Sequence, residues 1–194
     1  DADLIAVQKH KGNIIIVPGG SDIEQKIEKC IKQLPINKRV FVAISENIHS
    51  RLRKYNIYSI LCDDFSLVDK NVFFPREKSD LSKKIYVYDG YDKKYVKHNT
   101  KTYGKNNIDS VVKMCENKYD FIFSSDLNQI PNKNMPEIYE QCFIGLRLTN
   151  NDGNANTVQE FEAMNIPIVH NQSEYGLKWK TTDDIMNHIN NSYF

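Results

Sequence analysis

The sequence predicts an α/β fold of parallel strands joined by crossover helices, and three observations carry that reading. Short β-branched or aromatic runs alternate with segments whose apolar residues recur at helical spacing. Turn residues and helix caps fall between them. Apolar residues make up 40% and charged residues 26% of the 194 positions, the balance of a globular chain rather than a disordered one.

The elements follow in order. Ile14-Ile15-Ile16-Val17 reads as a buried strand, broken by Pro18-Gly19-Gly20. Ser21 or Asp22 caps a helix over Ile23 to Leu34, with Ile23, Ile27, Cys30, Ile31 and Leu34 on one face. The Gly pair before that helix reads as a tight turn, since it lacks the longer phosphate-binding fingerprint. Arg39 to Ile44 is the next strand, and Ser45 caps a helix from Glu46 to about Tyr55. Tyr58 to Cys62 is a third strand, which completes a β-α-β-α-β series.

Between Asp63 and Lys84 a Pro and a charge run interrupt the pattern, and the segment reads as a linker with a boundary near Pro75. A second series begins with the strand Ile85 to Tyr88, which ends at the turn Asp89-Gly90. A lysine-rich loop with Lys93, Lys94, Lys97 and Lys101 comes next. Ile108 to Cys115 is a helix, Tyr119 to Phe123 a strand and Pro136 to Cys142 a short helix. Phe143 to Leu148 is a strand, Thr149 to Asn156 a turn-rich loop, Thr157 to Met164 a helix and Ile166 to Val169 a strand. Residues Gly176 to Trp179 form a short strand or turn, and a helix starts at Thr182 or Asp183 and runs to about Ile189.

Composition excludes several classes. A net charge of +1 gives no support to a nucleic-acid or membrane-surface role driven by bulk charge. The longest apolar runs are about six residues, far short of the roughly 20 that span a membrane. Cys30, Cys62, Cys115 and Cys142 are widely spaced beside apolar segments, so they read as free thiols of a reducing compartment and not as a zinc site. The five histidines show no metal-ligand spacing, so no metal is expected. His170 reads as a surface or capping residue that has the ligand cleft within reach.

The chemistry concentrates in FIGLRLTNNDGNANTVQEFEAMNIPIVH, residues 143 to 170. A strand, a loop and a helix start in succession place loop amides and a helix N-terminus at one strand end, where an anion is favoured by about 0.3–1 kcal/mol. Gly153, Asn154 and Asn156 tolerate left-handed backbone angles, and small residues let a phosphate approach closely. Asp152 would repel a phosphate, so it reads as an acceptor for sugar hydroxyls. Glu160, eight positions on and near the face of Thr157, can accept two hydrogen bonds from a vicinal diol such as a ribose. The bland alternative makes Asp152 a helix cap and Glu160 a solvated helix residue. Tyr175 and Trp179 are candidates to line a nucleoside pocket, and Tyr86, Tyr88, Tyr91 and Tyr95 alternate partly like a strand and so read as core rather than as a base-stacking platform.

The run Thr149…Asp152-Gly153…Glu160…Pro167-Ile168-Val169 resembles the C-terminal-domain signature of retaining GT-B glycosyltransferases of family four. The spacing from Glu160 to Pro167 matches that family's and selects Glu160 over Glu162 as the second acid. Phe65 to Asp69 with Phe73-Phe74-Pro75 resembles its hinge, and Glu174-Tyr175-Gly176-Leu177 its closing region. The resemblance covers about Val40 to the end. It implies a Rossmann-like, GT-B-like architecture of parallel sheets with helices on both faces. Residues 1–75 would be a partial acceptor-side domain with the hinge, and residues 76–194 the nucleotide-sugar-binding domain.

On the matching positions, the resemblance implies that Asp152 holds donor-sugar hydroxyls and Glu160 the ribose. Amides of Gly153, Asn154, Ala155, Asn156 and Thr157 would hold the diphosphate, with Gly90 and Thr149 as further substrate-binding residues. The expected partners are a nucleotide-diphosphate sugar and an acceptor glycan, lipid or protein, with no cofactor or metal, in a cytoplasmic or membrane-peripheral enzyme. Asp152 stands where the family has Glu, and Tyr91 where it has Arg. Arg147 and Lys94 are the candidate replacements for the catalytic cations, beside Asp152. The short first series suggests a donor-binding half with a piece of its partner. Two rival readings are a non-catalytic nucleotide- or sugar-binding module and a response-regulator or flavin domain built on strand-ending acids such as Asp63, Asp64 and Asp89.

Overall fold

A computed structural model describes residues 10–18, 39–62, 66, 68–76, 82–90, 103–127, 130–149, 152, 155–171, 173 and 175–193. The helix expected over Ile23 to Leu34, the preceding Gly pair, Asp63, Asp64 and the lysine-rich loop lie outside them. The chain divides into two compact units, Asp1–Phe65 and Ser66–Phe194.

Among the described residues the first unit carries three parallel strands, β1 (Ile14–Ile16), β2 (Arg39–Ala43) and β3 (Ser59–Leu61), in that spatial order. Ile15 pairs with Val40, and Val42 with Ile60. Helix α1 (Glu46–Lys54) makes the crossover from β2 to β3. Its N-cap is Ser45, whose side chain accepts from the Ile48 amide at 3.3 Å. Ile48 and Leu52 are fully buried against Phe41, Ala43 and Ile57, each such side chain stabilising the unit by about 1.5–3 kcal/mol. His49 Nδ1 and Ser59 Oγ lie 2.8 Å apart and tie helix to strand.

The second unit begins ahead of the boundary that the sequence places near Pro75. The reason is Phe73, which is 3% exposed and packs in one cluster with Tyr86 and Tyr139. Arg76 adds an ion pair to Glu140 at 3.0 Å, and Ser66 Oγ donates to Gln159 at 2.6 Å. The described linker residues from Ser66 to Arg76 therefore belong to the fold that follows them.

This unit alternates β4 (Lys84–Val87), α2 (Lys105–Met114), β5 (Asp120–Phe123), α3 (Met135–Tyr139), β6 (Cys142–Leu146), α4 (Asn156–Ala163), β7 (Ile168–Val169) and α5 (Thr182–Ser192). The four described strands are parallel, in the order β5-β4-β6-β7. Right-handed crossovers put α2 on one face and α3 with α4 on the other, because the chain reverses its direction of travel across the sheet. The cores agree. Ile85, Val87, Ile144 and Leu146 pack with Ile108 and Val111 of α2 and Ile185 and Ile189 of α5. Tyr86 and Ile168 pack with Met135 and Tyr139 of α3 and Val158 and Phe161 of α4.

Several expected boundaries move by a few residues. The short helix ends at Tyr139, not Cys142, because Cys142 already pairs with Lys84 as the first residue of β6. The last helix runs on to Ser192 and opens with a capping box in which Thr181 and Asp184 bond each other's backbone amides. Leu177 makes an isolated parallel bridge to Val169. Among the described residues no helix is long and apolar enough to cross a membrane.

Candidate functional site

The strand order reverses between β4 and β6, and at such a switch point the loops leaving the two strands part and open a crevice at their C-terminal ends. Tyr88, Asp89 and Gly90 follow β4 there, and Arg147, Leu148 and Thr149 follow β6. A cavity of about 570 Å3 lies beside them, within the range of small-molecule sites. Its lining is apolar at Leu127, Ile130, Pro131 and Met135 and aromatic at Tyr86, Tyr88 and Tyr139. Gly90, Ser124, Asn132, Asn156, Thr157 and Glu160 complete it.

Glu160 is the charged residue of that lining. It sits on α4, 5% exposed, and its Oε2 accepts from the Tyr139 hydroxyl at 2.7 Å. The alternative of a solvated helix residue is thereby corrected; Glu162, two positions on, is the exposed one. Burial raises the Glu160 carboxyl above its ordinary range, while hydrogen bonds from Tyr139 and Asn132 and the charge of Arg147 pull the other way. Tyr139 is itself fixed, edge-on to Tyr86 at 5.0 Å and 4.5 Å from the Phe161 ring.

Arg147 anchors the neighbouring cluster. Its Nε donates to Asp152 Oδ2 at 2.5 Å, its Nη1 donates to Thr157 Oγ1 at 3.3 Å, and the guanidinium lies 3.8 Å from the Tyr88 ring centroid. Thr149 Oγ1 also donates to Asp152 Oδ2, at 2.9 Å. Burial works against the Arg147 charge, but the bond to Asp152 and its charge outweigh it, so Arg147 holds its proton more firmly than usual. Asp152 makes no N-cap bond to α4, whose N-cap is Ala155 with no side-chain hydrogen bond.

His170, just after β7, departs from the surface role expected of it. It is fully buried, and its Nδ1 lies 3.1 Å from the Arg147 carbonyl, which requires Nδ1 to carry the proton. Burial lowers its pKa, against the opposing pull of that carbonyl and of Asp152. On the far side of β4, Asp89 accepts from the Ser125 amide at 2.9 Å, Ser125 Oγ at 2.8 Å and Ser124 Oγ at 3.1 Å. These bonds set the rim of the cavity at Gly90 and Ser124.

Of the residues singled out by sequence, Gly90, Asn156, Thr157 and Glu160 line the cavity. Arg147, Thr149 and Asp152 form one network that reaches the cavity through Thr157 and Tyr88. Ala155 is buried in the core beside Val158 and Phe161. Lys94, Gly153 and Asn154 lie outside the described residues. Tyr175 and Trp179 do not line this cavity: the Tyr175 hydroxyl donates to the Ile166 carbonyl, and Trp179 packs against the core of α2 and α5. No sequence signal was read at Tyr139, Asn132 or Ser124, and Tyr88, expected in the core, lines the cavity. The available signal was the row of strand ends, since Tyr88 follows β4 at the switch point and Ser124 follows the adjacent β5.

Fold and cavity together define an α/β protein of the Rossmann-like kind, with a ligand-sized pocket at its switch point. No family model matches the chain, and comparison with curated proteins yields no match.

Proposed function

We propose that the second unit binds a nucleotide-diphosphate sugar and that the protein acts as a retaining glycosyltransferase of the GT-B kind, or as its donor-binding half. The observation that carries this reading is the buried Glu160 carboxylate on the wall of the switch-point cavity, beside the start of α4 and the Arg147 cation. A carboxylate offers two acceptor oxygens at the spacing of a vicinal diol, and Tyr139 holds one of them in place. The first-turn amides of α4, with Thr157, favour an anion at the same wall. Arg147 supplies the positive charge that the leaving diphosphate needs as the glycosidic bond breaks through an oxocarbenium-like transition state. Asp152 serves the sugar hydroxyls.

A second reading, a non-catalytic nucleotide- or sugar-binding module, draws on the state of Asp152, whose carboxylate is held by Arg147 and Thr149. The two readings differ in turnover. Calorimetry with a panel of UDP-, GDP- and dTDP-sugars tests the shared claim: at least one binds, and Glu160→Ala weakens it about tenfold or more. Indifference of binding to Glu160→Ala sinks both readings. Donor hydrolysis or transfer by the full chain selects the enzyme.

A further inference from the structure

We propose that Asp152 is a resident counter-ion on Arg147, which a ligand's phosphate displaces, and that the freed carboxylate is then satisfied by the hydroxyls of an attached sugar. The inference rests on the nucleotide-sugar reading of the cavity and deepens it: the site selects ligands that carry an anion and a neutral polyol together.

Arg147 is built as a fixed cation. Its side chain is 11% exposed, one face lies on Tyr88, and one edge reaches Thr157 Oγ1. Its carbonyl is held by the buried His170 ring. Tyr88 and Thr157 both line the cavity, so the guanidinium lies directly behind that stretch of wall, with its orientation set from the protein side. An anion entering there meets a preorganised donor set.

That donor set is already occupied. Asp152 Oδ2 takes the Nε–H of Arg147 and the hydroxyl of Thr149, with the Asp152 side chain 14% exposed. Carboxylate and phosphate oxygens are recognised by the same guanidinium edge, so both cannot hold that N–H at once. Stranding a carboxylate that is largely out of water is costly, which penalises a bare phosphate or diphosphate. A sugar on the diphosphate removes the penalty, because its hydroxyls donate to the displaced Asp152. Ligand discrimination then comes from an internal competitor rather than from added contacts alone. Asp152, which the sequence assigns to sugar hydroxyls, performs that role only after exchange.

Inorganic pyrophosphate is the probe, titrated by calorimetry into the full-length chain and its variants at fixed ionic strength. Asp152→Asn keeps the shape and removes the competing charge, and it is expected to bind pyrophosphate about tenfold more tightly than wild type. Thr149→Val frees the carboxylate from one of its two donors and is expected to give a smaller gain. Arg147→Gln is expected to abolish the gain in combination with Asp152→Asn. Melting temperatures of each variant identify any that fail to fold, and Thr149→Val then carries the comparison. Pyrophosphate affinity that is unchanged or lower in both Asp152→Asn and Thr149→Val overturns the proposal. The broader reading fails separately: if the pyrophosphate gain appears but no nucleotide sugar binds wild type, the exchange stands as an anion device and the donor site does not.

Discussion

Glu160 is a carboxylate held where its charge is disfavoured, which a protein tolerates at a site of use. The sign of its effect on stability follows. Its folded-state pKa is raised above the ordinary value of 4.5, so the folded chain binds the proton more readily than the unfolded chain between those two values. Stability therefore falls as pH rises through that window. Glu160→Gln keeps an acceptor for Tyr139 and removes the charge. It is expected to raise stability at neutral pH by roughly 1 kcal/mol, read from denaturant midpoints, while weakening ligand binding. His170 behaves oppositely. Its pKa is lowered from 6.5, so the unfolded chain takes the proton first and stability is lost as pH falls below that value. His170→Asn preserves a donor for the Arg147 carbonyl and removes the titration. Thermal melts between about pH 5 and 7 are expected to show a shallower acid decline in that variant.

At the scale of elements, the site depends on how closely α4 lies on β6. Gly145 makes that approach possible: a Cβ placed there would come within 2.6 Å of the Phe161 ring. Gly145→Ala is expected to destabilise the protein by about 1–3 kcal/mol and to weaken ligand binding by tilting the helix that carries Thr157 and Glu160. Unchanged stability and affinity would show that α4 is not held by this contact. The βα alternation of this region was legible in the sequence because it is local: β-branched runs mark strands, and helical spacing marks α2 and α5. The approach of α4 to Gly145 was not read from the sequence, because a glycine in an apolar run does not name the ring that packs over it. Tyr139 was not legible as the partner of Glu160, since the two meet only when α3 and α4 share one face of the sheet. The burial of His170 escaped for the same reason: its cover comes from the Arg147 strand and from the turn at Gly176, where a Cβ would strike the His170 backbone. The pairing of Arg147 with Asp152 spans only five positions, but a loop sequence does not reveal which charge it folds back upon.

At the scale of the molecule, the division after Phe65 assigns the segment with Phe73 and Arg76 to the second unit. A chain of residues 66–194 is expected to melt cooperatively, and one of residues 76–194 to lose about 3–5 kcal/mol through the missing Phe73 alone. Equal melting temperatures for the two would restore the boundary near Pro75. The same unit holds the whole cavity, from Tyr86 to Glu160, so ligand binding is expected to survive in the longer fragment. The central claim, that Glu160 receives a vicinal diol, is tested most directly by a double-mutant cycle between protein and ligand. Affinities of wild type and Glu160→Gln are measured for the best-bound nucleotide sugar and for its 2′-deoxyribose counterpart. The account predicts that wild type loses about tenfold on removal of the hydroxyl and that Glu160→Gln loses little or nothing. An equal loss in both proteins would contradict it.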